Sequence, residues 1–173
     1  MFALRVVGPL HGGPGREDDA VPKVFLVRHA KAGDRDRWEG DDRQRPLTSA
    51  GREQAERLAD TFARLPPGRL LASPYVRCVE TLQPTADRVG AHIELIDALA
   101  EGHPWEAVLD LVTGVPDNTV LCTHGDIIPA VITALERRGT EIRTTPDWRK
   151  AATWVLERDD GRVTAASAWP PPT

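Results

Sequence analysis

The sequence predicts an α/β protein: a three-layer α/β/α sandwich built on a mostly parallel sheet with an antiparallel edge hairpin. Two observations predict this fold. Short apolar runs alternate with stretches whose apolar residues recur at helical spacing, which is the pattern of successive βα units. Near the end of the chain, two strand-like segments flank Asp159-Asp160-Gly161, a turn signal typical of a β-hairpin.

Each element has a local justification. The apolar runs predict strands over 24–27, 70–72, 92–95 and 119–123, and hairpin strands over 152–157 and 163–169. One helix is expected to begin after an N-cap at Thr48 or Ser49, and a second at Ser73-Pro74, with Ser73 as N-cap and a kink or break at Pro84. Two further helices are predicted to begin at Pro104 and after His124.

Composition and length bound the class of protein. A chain of 173 residues with a formal net charge of −4 is expected to form one domain without a basic field for nucleic acid or for an anionic membrane surface. The predicted organisation is a flexible tail over 1–21, a domain over 22–169 and a short tail over 170–173. Two cysteines are too few for a disulfide framework, and the sequence contains no apolar run of roughly 20 residues. The first residues do not have the pattern of a signal peptide, so none is expected. We therefore expect a cytoplasmic protein.

Polar side chains follow the predicted strands at the points where the strands end. Arg28-His29 follows the first strand, Ser73 and Arg77 follow the second, and His124 follows the fourth. The carboxyl ends of parallel strands lie on one side of a sheet, where ligands bind. Arginines and helix N-termini both favour anions, so this edge of the sheet predicts a phosphate site.

Three ordered motifs resemble the histidine phosphatase (phosphoglycerate-mutase-like) superfamily. They are Leu26-Val27-Arg28-His29-Ala30, Ser73-Pro74-Tyr75-Val76-Arg77 followed by Glu80-Thr81, and Thr123-His124-Gly125-Asp126. The likeness spans about residues 24–169, and the small size is most similar to the phosphohistidine-phosphatase branch. The chain is also similar to the histidine-phosphatase domain of actinobacterial MutT-type Nudix hydrolases.

The resemblance implies a role for each residue at the strand ends. His29 would be the nucleophile that forms a phosphohistidine, and Glu101 would be the acid that protonates the leaving oxygen. The implied phosphate-binding residues are Arg28, Ser73, Arg77 and His124. The resemblance gives His124 a catalytic role as well, since it would stabilise the charge that develops during transfer. Since arginine and histidine supply the positive charge, neither a metal nor another cofactor is expected.

Some alternatives stay open at this stage. Ala30 stands where the family usually has glycine, and Glu106 is close enough to Glu101 in sequence to compete as the acid. Other phosphatase chemistries lack their motifs, since Cys122 is followed at the required spacing by Ile128 rather than arginine, and no His-Glu-x-x-His occurs. Several basic residues are expected either to form a solvated face or to hold substrate: Arg137, Arg138, Arg143, Arg149 and Lys150.

The expected function is metal-independent phosphatase activity through a phosphohistidine on His29. Two substrate classes remain, a phosphohistidine protein and a small phosphorylated metabolite or nucleotide. The alternative function is a non-catalytic module that binds phosphate or a phosphoprotein, although binding alone would not require both His29 and His124. The oligomeric state is left open.

Overall fold

A computed structural model describes residues 21–65 and 67–173, so almost all of the predicted tail over 1–21 lies outside the described residues. The strands are β1 (Lys23–Arg28), β2 (Arg69–Ala72), β3 (Ile93–Leu95), β4 (Thr119–Thr123), β5 (Glu141–Ile142), β6 (Thr153–Asp159) and β7 (Arg162–Trp169). The helices are α1 (Ser49–Arg64), α2 (Val76–Val89), α3 (Trp105–Gly114) and α4 (Ile127–Arg137). Among the described residues, no helix has the length and apolar character that crossing a membrane requires.

The seven strands form one mixed sheet in the order β3-β2-β4-β1-β6-β7-β5. Strands β1, β2, β3 and β4 pair in parallel, whereas β6 runs antiparallel to both β1 and β7. The hairpin turns at Asp160 and Gly161, which both have positive φ, as a tight primed turn requires. The hairpin is one strand in from the edge, because the two-residue strand β5 pairs with β7 outside it.

The two faces of the sheet carry separate hydrophobic cores. In β1, Val24 and Leu26 point to one face and Phe25 and Val27 to the other, following the two-residue period of a strand. Helices α3 and α4 cover the first face, and α1 and α2 cover the second. The predicted three-layer α/β/α fold is therefore confirmed.

The observed starts of two helices show how well capping residues in the sequence predict helix boundaries. Helix α1 begins after Thr48, whose hydroxyl oxygen accepts the Gly51 N–H at 3.1 Å. Thr48 is therefore the N-cap, one of the two residues that the sequence predicted for this position. The predicted start of α2 at Ser73 is wrong, because the helix begins at Val76 with Tyr75 as N-cap. Pro84 lies inside one continuous α2, so no second helix begins there.

Candidate active site

Three strand ends lie side by side in the middle of the sheet. In the order β2-β4-β1, Ala72 is opposite Cys122 and Arg28 is opposite Thr123. The next residues stay on the same edge, because the His29 N–H donates to the Thr123 carbonyl at 3.0 Å and the Ser73 N–H donates to the Cys122 carbonyl at 3.0 Å. The sheet thus brings together His29, Ser73 and the residue after Thr123, which is His124.

His29 is held in one tautomer. Its Nδ1 lies 2.8 Å from the Ala30 carbonyl oxygen, which can only accept, so Nδ1 carries the proton and Nε2 keeps its lone pair. The side chain lines a cleft of about 510 Å³ although the residue is only 6% exposed. The pKa of His29 is lowered from 6.5 to about 2, mainly by burial and also by the positive charge of Arg77, against the Ala30 hydrogen bond, which raises it. His29 is therefore a neutral imidazole, the form in which a histidine nitrogen is nucleophilic.

His124 lies behind His29, with 5.3 Å between the two ring centroids. Its Nε2 is 2.8 Å from the Ser73 hydroxyl, and its Nδ1 is 3.5 Å from a terminal nitrogen of Arg77. An arginine only donates, so the proton is on Nε2, which donates to Ser73. Ser73 is fully buried and does not line the cleft, where the sequence placed it as a phosphate ligand. It contacts His124 instead.

Arg28 lines the cleft, and its guanidinium is held from two sides. It donates to the Trp148 carbonyl, and it packs so closely on Gly125 that a Cβ there would lie 2.5 Å from its central carbon. Its Nε is buried without a hydrogen-bond partner in the described part of the chain. Burial lowers the pKa of Arg28, and the charges of Asp126 and Glu101 oppose that change. Arg28 is thus a positioned cation next to the nucleophile.

Arg77 is fully buried and does not line the cleft, because two acidic side chains contact it. One of its terminal nitrogens lies 2.8 Å from a Glu101 carboxylate oxygen and 3.1 Å from an Asp42 carboxylate oxygen. The other donates to the Asp42 carbonyl at 2.9 Å, and the guanidinium carbon lies 4.5 Å from the centroid of the Tyr75 ring. The donors that would hold a phosphoryl group therefore bind carboxylates in this structure.

Glu101 lines the cleft, whereas Glu106 is exposed on α3 and does not. Both Glu101 oxygens lie 2.7 Å from the same terminal nitrogen of Arg35. Arg77 also binds Glu101, so the guanidinium groups of Arg35 and Arg77 both hold this carboxylate in the lining of the cleft. Of the two acids the sequence left open, only Glu101 is placed beside His29.

Sequence reasoning missed several residues that build the site. Asp42 binds Arg77 and also accepts from Arg45 Nε at 2.7 Å, and Arg35 binds Glu101. These residues lie in a loop without apolar periodicity, so nothing local indicated their contacts. Thr81 was quoted only as part of a motif, but its hydroxyl accepts the Ala30 N–H at 2.9 Å and donates to the Arg77 carbonyl at 2.6 Å.

The fold and this edge of the sheet define a class of protein. A mixed α/β/α sheet that brings a neutral histidine, a second histidine and arginines together at adjacent strand ends is suited to binding and transferring a phosphoryl group. A sequence profile of the Histidine phosphatase superfamily (branch 1) matches residues 24–110. The chain belongs to this superfamily, as the three sequence motifs predicted.

Individual relatives agree with this family. The chain is 37% identical over 156 residues to an 8-oxo-(d)GTP phosphatase of Mycolicibacterium smegmatis (strain ATCC 700084 / mc(2)155), covering 86% of this chain and 48% of that protein. It thus spans about half the length of this curated relative. Among solved structures, SixA from Agrobacterium tumefaciens is 26% identical with a TM-score of 0.57, covering 80% of this chain and 92% of that one. The protein histidine phosphatase SixA complexed with tungstate has a TM-score of 0.68 at 18% identity, covering 85% of this chain and 94% of that one. This likeness shows that the two chains share a fold.

Proposed function

We propose that this chain is a phosphatase domain that works through a covalent phosphohistidine on His29. The observation that carries the proposal is the geometry of the imidazole. Its Nδ1–H donates to the Ala30 carbonyl, and the buried, neutral side chain lines the cleft. A neutral imidazole with a free Nε2 lone pair needs no separate base before it attacks phosphorus.

The reaction proceeds in two transfers at the same phosphorus. Once the substrate has displaced it from Arg77, Glu101 takes up a proton from the bound phosphate monoanion. The Nε2 lone pair of His29 then forms the N–P bond while the bond from phosphorus to the leaving oxygen breaks, and Glu101 gives that oxygen its proton. Water then attacks the phosphohistidine and Glu101 takes a proton from it. The N–P bond breaks, inorganic phosphate leaves, and His29 returns to its neutral form.

Positive charge around His29 would stabilise the transferring group. Arg28 already lines the cleft, and Arg77 lies directly behind Glu101. A phosphoryl group would replace the carboxylates on Arg77, because it offers oxygens to the same donors, and this exchange would also release Glu101 for proton transfer. His124, whose Nδ1 faces a terminal nitrogen of Arg77, would hold that guanidinium in place for the phosphoryl group, with Ser73 orienting the ring. Cationic side chains would then supply the charge that a metal supplies in other phosphatases.

The substrate that this site supports best is a small phosphorylated metabolite or nucleotide. Glu101 stands at the cleft, and an alcohol or phosphate leaving group needs such an acid more than an imidazole does. The 8-oxo-(d)GTP phosphatase relative is in the same class. A phosphohistidine protein is the second candidate, supported by the 26% identity to SixA from Agrobacterium tumefaciens.

Phosphate release from a substrate panel tests this proposal. The panel contains nucleoside diphosphates, sugar phosphates, an aryl phosphate and a phosphohistidine protein, each assayed with a metal chelator present. We expect turnover by the wild-type chain and a loss of at least about 10⁴-fold in His29→Ala, because the nucleophile is gone. His92→Ala, at an exposed position, is the matched control. Turnover that survives in His29→Ala would remove the proposed mechanism, and binding without turnover would favour the non-catalytic module.

A further inference from the structure

We propose that Lys150 forms a second anion subsite in the cleft, which binds an anionic group next to the phosphoryl group that is transferred. This inference rests on the proposed function of the same cleft. Lys150 is half-buried and lines the cleft together with Arg28 and His29. Within residues 21–65 and 67–173, its ammonium group has neither an ion pair nor a hydrogen bond.

The other cations of the cleft wall are already engaged. Arg35 binds the Glu101 carboxylate at 2.7 Å, and Arg45 binds Asp42 at 2.7 Å. Arg28 has no carboxylate within ion-pair distance in the described part of the chain, but the proposed mechanism assigns it to the transferred phosphoryl group. Among the described residues that line the cleft, Lys150 is then the one cation without an anionic partner in the fold or in the proposed mechanism.

A lysine in this position is costly unless an anion binds it. Burial lowers the pKa of Lys150, and the positive charges of Arg28, Arg45, Arg77 and Arg35 lower it further. An ammonium group taken partly out of water and placed among guanidinium groups loses hydration without gaining a counter-charge. An anionic substrate group would offset both effects, which is the physical reason to place one there.

The backbone holds Lys150 close to the nucleophile. The next residue, Ala151, has a left-handed φ of 68°, which is strained for a residue with a side chain. Its N–H lies within hydrogen-bond distance of two carbonyl oxygens, those of Arg28 at 3.1 Å and of His29 at 3.2 Å. The strain is sustained because this contact fixes the segment against β1. The backbone at Lys150 therefore has a set position relative to β1 and His29, so its side chain reaches the cleft from a fixed point.

The ligand chemistry is a phosphoryl group with a second anionic group in the same small molecule. A diphosphate and a phosphate with a neighbouring carboxylate both meet this description. Non-hydrolysable ligands separate these sources: methylenediphosphonate carries two phosphonates, phosphonoacetate carries one phosphonate and one carboxylate, and methylphosphonate has a single anionic group. Because these ligands are not turned over, their binding reports on the subsite independently of catalysis.

Calorimetric titration of each ligand into the wild-type chain and Lys150→Met tests the proposal. We expect the variant to bind methylenediphosphonate, phosphonoacetate or both about 10- to 100-fold more weakly, which is the scale of one lost charge-assisted hydrogen bond. Methylphosphonate should change less than about threefold, and Lys150→Arg should restore much of the lost affinity. Lys31→Met is the matched control, because Lys31 is exposed and does not line the cleft.

Two outcomes would overturn the subsite. An equal loss for methylphosphonate and the two-anion ligands would mean that Lys150 binds the transferred group itself. Unchanged affinity for all three would mean that Lys150 binds no substrate anion. Selective loss of the two-anion ligands supports the subsite even if the wild-type chain turns over no substrate, and that combination would count against the catalytic proposal alone.

Discussion

Two walls of the cleft are built in different ways. The strand-end wall consists of Arg28, His29 and Gly125, with the buried His124 and Ser73 behind it. The loop wall consists of Gly33, Asp34, Arg35, Arg45 and Lys150. His29, His124 and Ser73 are buried and tied to the sheet by backbone hydrogen bonds or by one another. In the loop wall, the side chain of Arg45 is also buried, but that of Arg35, which contacts Glu101, is 56% exposed and held by ion pairs.

This difference separates the chemistry of the cleft from its selectivity. Contacts in a dry, packed wall keep their geometry, because moving one side chain disturbs several others. Exposed ion pairs contribute only about 0–1 kcal/mol and exchange partners readily. We therefore expect the strand-end wall to act on any phosphoryl group and the loop wall to determine which substrate enters. Glu101 lies where the two walls meet, bound by Arg77 behind and Arg35 in front.

After the loss of the nucleophile itself, the largest effect is expected at Glu101, where the two walls meet. Glu101→Gln keeps the shape of the side chain but cannot donate or take up a proton, so kcat on ester or diphosphate substrates should fall about 10²- to 10⁴-fold. On a phosphohistidine protein the fall should be less than about tenfold, because imidazole leaves with less help from an acid. Steady-state rates on both substrate types measure the difference, with the exposed Glu106→Gln as control. Equal activity of Glu101→Gln and wild type on an ester would exclude Glu101 as the acid.

A smaller effect is expected at Gly125, which gives Arg28 its space. In Gly125→Ala the new methyl group would lie within 2.5 Å of the Arg28 guanidinium, which must then shift away from the cleft. Because the displaced group is the end of a flexible side chain, the fold should survive while affinity for inorganic phosphate drops about 10- to 100-fold.

Phosphate inhibition constants and denaturant unfolding together check this expectation. Gly114→Ala is the control, since in the described part of the chain a Cβ built there has no atom within 4 Å beyond its chain neighbours and its own helix backbone. Unfolding of Gly125→Ala at the same denaturant concentration as wild type, with weakened phosphate binding, is the expected pair of results. Unchanged phosphate inhibition would show that Arg28 does not need its present position.

Ser73 offers a milder test of the strand-end wall. Ser73→Ala removes the oxygen that accepts from His124 Nε2 at 2.8 Å, so the His124 ring is no longer oriented from behind. We expect kcat to fall about 5- to 10-fold with little change in KM, the scale of one hydrogen bond lost from a positioning residue. Ser49→Ala, at an exposed position in α1, is the control. A rise in KM alone would instead place Ser73 among the groups that bind substrate.

The smallest effect is on the pH dependence of stability, which reports whether water is excluded from His29. The folded pKa of His29 is depressed from 6.5 to about 2, so as pH falls below 6.5 the unfolded chain takes up a proton here that the folded chain does not. Stability is therefore lost with falling pH, by about 1 kcal/mol from this residue between roughly pH 7.5 and pH 6. His29→Gln should lack this component in denaturant unfolding, whereas the exposed His92→Gln should retain it. Identical pH slopes for His29→Gln and wild type would mean that water reaches His29.

By itself, the sequence determined the order of strands and helices and the residues that follow each strand. Apolar periodicity is a local property, so β1, β4 and α1 could be predicted nearly to their ends. Because parallel strands end at one edge, the same reasoning placed His29 and His124 together, and their rings are indeed neighbours in the fold. The short strand β5 escaped this reasoning, because two residues carry no period.

Only the tertiary structure decided which contacts those residues make. Ser73 is not the cap of α2, and its hydroxyl contacts the ring of His124, 51 residues away in the chain. Arg77 proved to be bound by Asp42 and Glu101, and Lys150 proved to face the cleft without a partner in the described chain. The positions of loop side chains are determined by contacts with residues far away in the sequence. The spacing of residues within the loop therefore does not predict them.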